Sequence, residues 1–348
     1  MSKKIKVGIV GLGRAGWNLH FLPMKEHSDF EIVAVADPEP ARTGEAAELT
    51  GCAEYKGLEE LLTHQELDAV VVATPSSLHY HDAKKVLQSG RHCILEKPMA
   101  TSFAEAKELH ELAQAKNVQI CVHHQHCFKD EYHHLKEIIA SGVLGDIFQI
   151  NVFWAYYGRR WDWQTLKVNG GGQLNNTCPH TLSIVLPLLG SPVEAVTADL
   201  RNIKDAGDSE DHVHLWLRTK SGIVADITVT SACALPAKKW MLLGTCGTLS
   251  SDGAMSKLRY YNKDEAPELK LLETTTVPDR KYLSEQLPWK ETECPTKAKA
   301  ALVQFHDNVA AVLRGEAAPV VSSESAVEVM RVIELARKSA ESGKTILD

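Results

Sequence analysis

Lys97 is the side chain whose position in this sequence most directly indicates chemistry. It follows the apolar segment 92–95 within Glu96-Lys97-Pro98, and Pro98 ends that predicted strand because proline lacks the N–H that a ladder needs. A lysine at the carboxyl end of a central parallel strand faces the ligand cleft of an open sheet. Its ammonium group could bind a substrate hydroxyl, and a nearby positive charge would lower its pKa. The alternative is a surface lysine that pairs with Glu96.

A glycine-rich turn near the start of the chain predicts the ligand of that cleft. The apolar run 7–10 is typical of a buried parallel strand, and it leads into Gly11-Leu12-Gly13-Arg14-Ala15-Gly16. The first glycine permits a tight turn, the second lets backbone approach a pyrophosphate, and the third lets the following helix pack closely. The N–H groups and positive dipole end of that helix attract the anion. The alternative is a glycine turn without a ligand.

Asp37 indicates which dinucleotide is bound. It ends the predicted strand 30–36, about 20 residues after Gly16, where a carboxylate binds the adenosine ribose hydroxyls. Its charge would repel a 2′-phosphate, so NAD is predicted, while the nearby Arg42 leaves NADP possible.

The elements around these residues alternate between strand and helix. Further buried strands are predicted over 68–75, 92–95 and 118–122, with helices over 41–50, 59–62, 79–89 and from the capping box Ser102-x-x-Glu105. This alternation predicts an α/β fold with a doubly wound parallel sheet. Thr74 and Pro75 should line the cofactor cleft, because they end a central strand.

The second half has a different pattern. Strand-like segments at 147–157 and between 193 and 261 predict a large, mainly antiparallel sheet. Helices are predicted over 297–313 and 325–341, and the last one is expected to pack back on the first domain. The predicted domains are 1–122, 123–320 and the returning segment 321–348.

Composition excludes some partners and favours a compartment. The chain has 348 residues and a formal net charge of −7, so it offers no electrostatic support for nucleic acid. It has no apolar stretch of the ~20 residues that cross a bilayer, and no membrane partner is expected. The scattered cysteines, and a first strand that leaves no room for a secretory signal, favour the reducing cytoplasm.

Several of these motifs together resemble the glucose–fructose oxidoreductase/inositol dehydrogenase/rhizopine-catabolism (Gfo/Idh/MocA) family. They are Gly11–Gly16, Asp37, Ala73-Thr74-Pro75-x-x-x-His79 and Glu96-Lys97-Pro98, and the similarity covers nearly the whole chain. The resemblance implies a Rossmann domain, a second α/β domain whose open sheet makes the contacts of a homodimer or homotetramer, and NAD(P)-dependent oxidation of sugars or cyclitols. The cofactor contacts that it implies are Gly11, Leu12, Gly13, Arg14, Ala15, Gly16, Asp37, Ala73, Thr74, Pro75, His79, Glu96, Lys97 and Gln125.

The resemblance also assigns the catalytic segment. Aligning Gly170–His180 with the family places His180 at the catalytic histidine and Asn176 where the family usually has aspartate. His180 could take a hydroxyl proton as hydride leaves. Asn176 could orient the substrate, but it cannot exchange a proton. If the helix has begun, residues four apart lie on one face, so Asn176 and His180 would be neighbours.

Two further groups are candidate walls of the site. Trp163 and Gln164 lie in a loop with other aromatic and polar residues, which suits stacking on a sugar, although ordinary packing is the alternative. Histidines are densest at His123, His124, His126, His133 and His134. They lack a completing acid or cysteine, so no metal is predicted; His124 and His126 are expected on one strand face, as part of a polar cleft wall. Where the family often has Asn-Arg, this chain has Gln125-His126.

The sequence therefore predicts an NAD(P)-dependent dehydrogenase of a sugar, cyclitol or related polyol, with Lys97 and His180 assisting proton transfer. One alternative is a sugar lyase or glycosidase that retains NAD and oxidises its substrate transiently. A second alternative, motivated by Asn176, is a cofactor-binding regulator without catalysis.

Overall fold

Two β-sheets organise the chain, and the candidate site residues lie where the two meet. The computed structural model describes residues 3–273, 280, 282–296 and 301–348. No helix within these ranges combines the length and apolar character needed to cross a membrane.

The first sheet is parallel throughout. Its strands are β1 (Ile5–Val10), β2 (Phe30–Ala36), β3 (Ala53–Tyr55), β4 (Ala69–Val72), β5 (His92–Leu95) and β6 (Ile120–Val122). Their spatial order is β3-β2-β1-β4-β5-β6, the doubly wound arrangement that the sequence predicts. The order reverses between β1 and β4, so a crevice opens at their carboxyl ends, beside the glycine turn.

Helices cover this sheet, which explains its continuously apolar strands. A π-helical turn, Gly16–Phe21, follows the glycine turn and continues into α1. The α-helices are α1 (Leu22–Glu26), α2 (Pro40–Thr50), α3 (Leu58–Leu61), α4 (His79–Gln88) and α5 (Phe103–Lys116). The predicted capping box at Ser102 is confirmed, because its side chain and that of Glu105 each accept the other's backbone N–H.

The second sheet is mixed, with mostly antiparallel pairs. Its strands are β7 (Ile147–Ala155), β8 (Val193–Arg201), β9 (His212–Thr219), β10 (Val224–Thr230), β11 (Trp240–Gly244), β12 (Gly247–Ser251), β13 (Met255–Tyr260), β14 (Lys290–Pro295) and β15 (Ile346–Leu347). Their order is β14-β13-β12-β11-β7-β10-β9-β8-β15, and β7 pairs with β10 in parallel.

Five helices accompany this second sheet. They are α6 (Asp130–Ala140), α7 (Gln173–Asn176), α8 (Cys178–Leu189), α9 (Ala301–Leu313) and α10 (Ser323–Ser342). The apolar stripe of α10 is buried, and the helix packs against α5, α8 and β8, so it contacts both halves of the molecule. Of the helix predicted over 297–313, residues 297–300 lie outside the described residues. The sequence did not predict β3, β14 or β15.

Candidate active site

The glycine turn has the geometry of a pyrophosphate cradle. Gly11 has a φ of +87°, and a Cβ there would come within 2.6 Å of the Ala73 carbonyl oxygen. A Cβ on Gly16 would lie 1.8 Å from the Gly11 carbonyl oxygen, so the helix can approach the strand this closely only with glycine. A Cβ on Gly13 would meet nothing within 4 Å, which leaves open space where a phosphate would sit. The residues present therefore fit a dinucleotide.

Asp37 lies beside that turn. Its buried carboxylate accepts the backbone N–H of Leu12 at 2.7 Å and that of Glu39 at 2.9 Å. Arg42 lies loosely over it, with its guanidinium 3.4 Å from the carboxylate. The carboxylate is thus fixed at the carboxyl end of β2, and the more exposed arginine has less influence on what binds there.

The loop after β4 is held from behind by His79. The two ring nitrogens of this buried imidazole lie 2.7 Å from the Pro98 carbonyl oxygen and 2.9 Å from that of Thr74. The Thr74 hydroxyl donates to Asp82 at 2.8 Å, while Pro75 is exposed. Both nitrogens of His79 are therefore engaged with backbone, and its contribution to a cofactor site would be indirect, through the two loops that it joins.

Lys97 reaches across from the first sheet to the second half of the chain. Its Nζ donates to the Asn176 carbonyl oxygen at 2.8 Å. Burial lowers the pKa of Lys97, and the positive charges of Arg14 and Arg160 lower it further, whereas the Glu96 carboxylate raises it. Lys97 therefore does not form the surface ion pair with Glu96 that was the alternative, because the Glu96 carboxylate contacts two buried histidines instead.

Asn176 and His180 are close together, but one helix does not carry both. Asn176 ends α7, and Thr177 separates it from α8, which carries His180 in its first turn. The Asn176 Oδ1 and His180 Nδ1 atoms are buried and have no hydrogen-bond partner. Burial lowers the pKa of His180 well below its usual range, and the charge of Lys97 lowers it further. The imidazole is therefore neutral at neutral pH and can accept a proton.

Two more histidines face His180 from the segment after β6. The ring centroid of His126 lies 4.5 Å from that of His180, and the centroid of His124 lies 6.5 Å from it. Burial lowers the pKa of each to about 3. The expectation of a shared strand face was wrong, because β6 ends at Val122 and a 3₁₀ turn, Gln125–Phe128, follows. The Gln125 Oε1 in this turn is also buried without a partner.

The loop after β7 packs against the segment that bears Asn176. Gln164 lies against the segment 170–180, since its carbonyl oxygen accepts the Gly172 N–H at 2.9 Å and faces the Asn176 side-chain amide at 3.5 Å. Trp163 is 42% exposed, so its indole is not part of the core. Arg160, which the sequence analysis did not assign, is tied to Asp162 by three hydrogen bonds.

Comparisons with known proteins identify the family of this chain. Residues 5–124 match the model of an oxidoreductase family with an NAD-binding Rossmann fold, and residues 132–250 match the Gfo/Idh/MocA C-terminal domain. The chain belongs to the Gfo/Idh/MocA family. It is therefore an oxidoreductase with an NAD-binding Rossmann domain.

Individual relatives span most of the chain. It is 27% identical over 354 residues to scyllo-inositol 2-dehydrogenase (NADP(+)) of Bacillus subtilis. The aligned region covers 99% of this chain and 96% of the relative. It is 30% identical over 258 residues to 2,7-anhydro-N-acetylneuraminate hydratase of Escherichia coli, covering 71% and 68%. The structure of an NAD-binding protein from Listeria innocua matches with a TM-score of 0.83 and 25% identity, over 99% and 97% of the two chains.

Two residues that support the candidate site, His20 and Arg337, were not predicted from the sequence. His20 is fully buried and donates to Glu96, 76 positions away. Arg337, on α10, donates to the Thr101 carbonyl oxygen at 3.0 Å and to the Asn175 side chain at 2.5 Å. Neither lies in a local motif, so no signal in the sequence marks its partners.

Proposed function

We propose that this oxidoreductase is an NAD-dependent dehydrogenase that oxidises a hydroxyl group of a sugar, cyclitol or related polyol. The observation that carries the proposal is the approach of Lys97 to the segment that bears His180. An amine with a lowered pKa and a neutral imidazole with an unpartnered nitrogen there supply a hydroxyl-binding group and a proton acceptor. The similarity to scyllo-inositol 2-dehydrogenase supports the substrate class.

Each residue has a distinct part in the proposed reaction. Lys97 binds the reacting hydroxyl and polarises it, and His180 takes its proton. Asn176 orients a neighbouring hydroxyl through its unpartnered Oδ1, while Trp163 and Gln164 form the wall against the sugar. Bound NAD supplies the hydride acceptor. Positioning and proton transfer are thus left to the protein.

Asp37 supports NAD as the preferred cofactor. Two backbone N–H groups hold its carboxylate at the end of β2, where a ribose hydroxyl would donate to it and a 2′-phosphate would be repelled. The loosely placed Arg42 is the residue through which NADP would be accepted.

Activity on a panel of sugars and cyclitols tests the proposal. Purified protein should reduce NAD with at least one polyol, as measured by the absorbance of reduced nicotinamide. Lys97→Ala should lower kcat by ~10²–10⁴, the range for loss of a proton-transfer group, while the exposed-site control Lys116→Ala should not. Unimpaired turnover by Lys97→Ala would contradict the assignment.

The similarity to a hydratase favours a second candidate. In that case the protein keeps its cofactor, oxidises a sugar hydroxyl transiently, and reduces it again after elimination or hydration at a neighbouring bond. Product would then form on the same panel without net accumulation of reduced nicotinamide. Cofactor binding with no product on the whole panel would instead support a cofactor-binding regulator without catalysis. That alternative is suggested by Asn176, which stands where the family usually has aspartate.

We further propose a homodimer or homotetramer that assembles through the outer face of the second sheet. Trp216 on β9 and Met241 on β11 are partly exposed there, in one cross-strand row with Asp226 of β10 and Asn151 of β7 between them. Light scattering of the wild type and of Trp216→Glu tests this interface. All eight cysteines are free thiols, which supports a reducing, cytoplasmic location.

A further inference from the structure

The Glu96 carboxylate is held on one side by two imidazoles. Its Oε1 accepts a hydrogen bond from His20 Nε2 at 3.0 Å and another from His123 Nδ1 at 2.5 Å. All three side chains are buried. His20 comes from the turn after the glycine cradle and His123 from the end of β6, so they approach Glu96 from two separate elements.

The protonation of this group follows from its unpartnered atoms. His20 Nδ1 and His123 Nε2 are buried and make no hydrogen bond. A neutral imidazole has one N–H, and here each is used on Glu96. A second proton on either ring would be a buried donor without an acceptor, so the carboxylate carries the charge. Burial alone would raise the pKa of Glu96, but His123 and His20 hold it well below its usual range.

The same three residues have the composition of a metal site, since their ligand atoms lie within 4.8 Å of one another. The geometry favours protons over a metal ion. Both nitrogens approach the same carboxylate oxygen at hydrogen-bond distance, and a cation between them would need more room than 2.5 Å. Phe305 and His306 seal the group, with ring centroids 4.4 Å from His123 and 5.6 Å from His20 respectively.

This arrangement leaves Lys97 without an ion-pair partner. Among the described residues, no carboxylate oxygen lies within 4.0 Å of its Nζ, although Glu96 is its neighbour in the chain. The charged groups that act on the amine are Glu96, Arg14 and Arg160. The titratable rings around the amine are those of His79, His124, His126 and His180, whose pKa values burial lowers and the charge of Lys97 lowers further. The Glu96 carboxylate therefore acts on the ammonium group through its charge and not through a direct contact.

We propose that His20 and His123 are positioning residues for the proposed reaction: they hold Glu96 near Lys97 and prevent it from pairing with the amine. The inference rests on the proposed role of Lys97. The negative charge then supports the ammonium form without locking it, and the amine stays free to bind a substrate hydroxyl and exchange its proton.

Competitive acetylation of the full-length protein tests this directly. Trace acetic anhydride modifies only the unprotonated amine, so mass spectrometry of the Lys97 peptide across a pH series gives a labelling midpoint. His123→Leu should move that midpoint to higher pH by about one pH unit, the effect of a new ion pair. Glu96→Gln should move it to lower pH, because the negative charge is lost. The double variant should follow Glu96→Gln.

Two matched variants separate the hydrogen bonds from mere packing. The side-chain amide introduced by His123→Asn can replace the Nδ1–H group, and that of His20→Gln can replace the Nε2–H group, so both variants should keep the wild-type midpoint. His20→Leu provides the same loss as His123→Leu if the latter does not fold. Unchanged midpoints in both leucine variants would overturn the proposal, as would equal shifts in His123→Asn and His123→Leu.

Metal analysis completes the test. One equivalent of zinc or another divalent ion in the purified protein, lost in His123→Leu, would show a metal centre and overturn the proposal. The labelling midpoint requires no turnover. Absence of activity on every polyol would therefore contradict the proposed function, while the midpoints would still decide the role of the two histidines.

Discussion

His123 and His124 are adjacent in the chain but lie in two regions whose histidines differ in their hydrogen bonding. His123 lies on the core side, where it donates to a carboxylate that His20 also contacts. His124 lies on the cleft side with His126 and His180, where the Nδ1 atoms of all three are buried without partners. Each ring of the first group has one nitrogen on Glu96 and one without a partner, whereas the rings of the second group make no side-chain hydrogen bond among the described residues and could use a ligand as partner. The core group should therefore serve stability and the cleft group should serve binding and catalysis.

Removing the central cleft histidine should have the largest effect on activity and little effect on stability. His180→Ala should lower kcat by ~10²–10⁴, because the proton acceptor is lost. Since no hydrogen bond of its Nδ1 is broken, the melting temperature should stay close to that of the wild type. Steady-state kinetics and thermal melts measure the two effects, with the exposed His81→Ala as control. A full loss of folded protein would contradict the distinction between the regions.

The two regions should also differ in what truncation does to folding. His20→Ala removes a donor to a buried charged group, so it should lower the free energy of unfolding by about 1.5–3 kcal/mol. His126→Ala removes no such bond, only the packing of its ring on Trp154 and His180, so it should lower the free energy of unfolding by less than His20→Ala does. Urea unfolding of both variants measures the difference. Equal destabilisation would mean that His126 has a partner comparable to Glu96.

A carboxylate introduced beside His180 should change the pH at which that histidine is protonated, because the core histidines also have a carboxylate as neighbour. Burial keeps the pKa of His180 well below its usual range, so wild-type kcat should not fall as the pH is lowered through the usual histidine range. Asn176→Asp places a negative charge beside His180 and favours its protonated form. The acid limb of the kcat profile should then move to higher pH by about one pH unit. Asn176→Ser adds no charge, and its limb should stay where the wild-type limb is.

The smallest predicted effect concerns Asp37, beside the glycine turn. Asp37→Asn keeps an acceptor for the Leu12 N–H group but loses the charge that repels a 2′-phosphate. The kcat/KM for NAD should fall about tenfold, equivalent to about 1.4 kcal/mol, and the preference should move towards NADP. Glu39→Gln, at an exposed neighbour, is the control. An unchanged ratio would assign the selectivity to Arg42 instead.

Local patterns were sufficient to predict the cradle and the first sheet, since strand periodicity and glycine spacing act over a few residues. They also located Lys97, because its position depends on where a buried strand ends. The same patterns could not link His20 to Glu96, or Arg337 to Asn175, because these contacts join residues far apart in sequence. His124 and His126 were misplaced for a related reason: an apolar run such as 118–122 does not reveal where its strand stops.

Arg337 has a consequence for how the molecule moves. It joins the last long helix to the Thr101 loop on one side of the cleft and to Asn175, the neighbour of Asn176 in the chain, on the other. A hinge motion that separated the two sheets would have to break at least one of these contacts and part of the packing of α10. The last long helix therefore joins the two halves of the chain, and a truncation that removed Arg337 would remove both contacts.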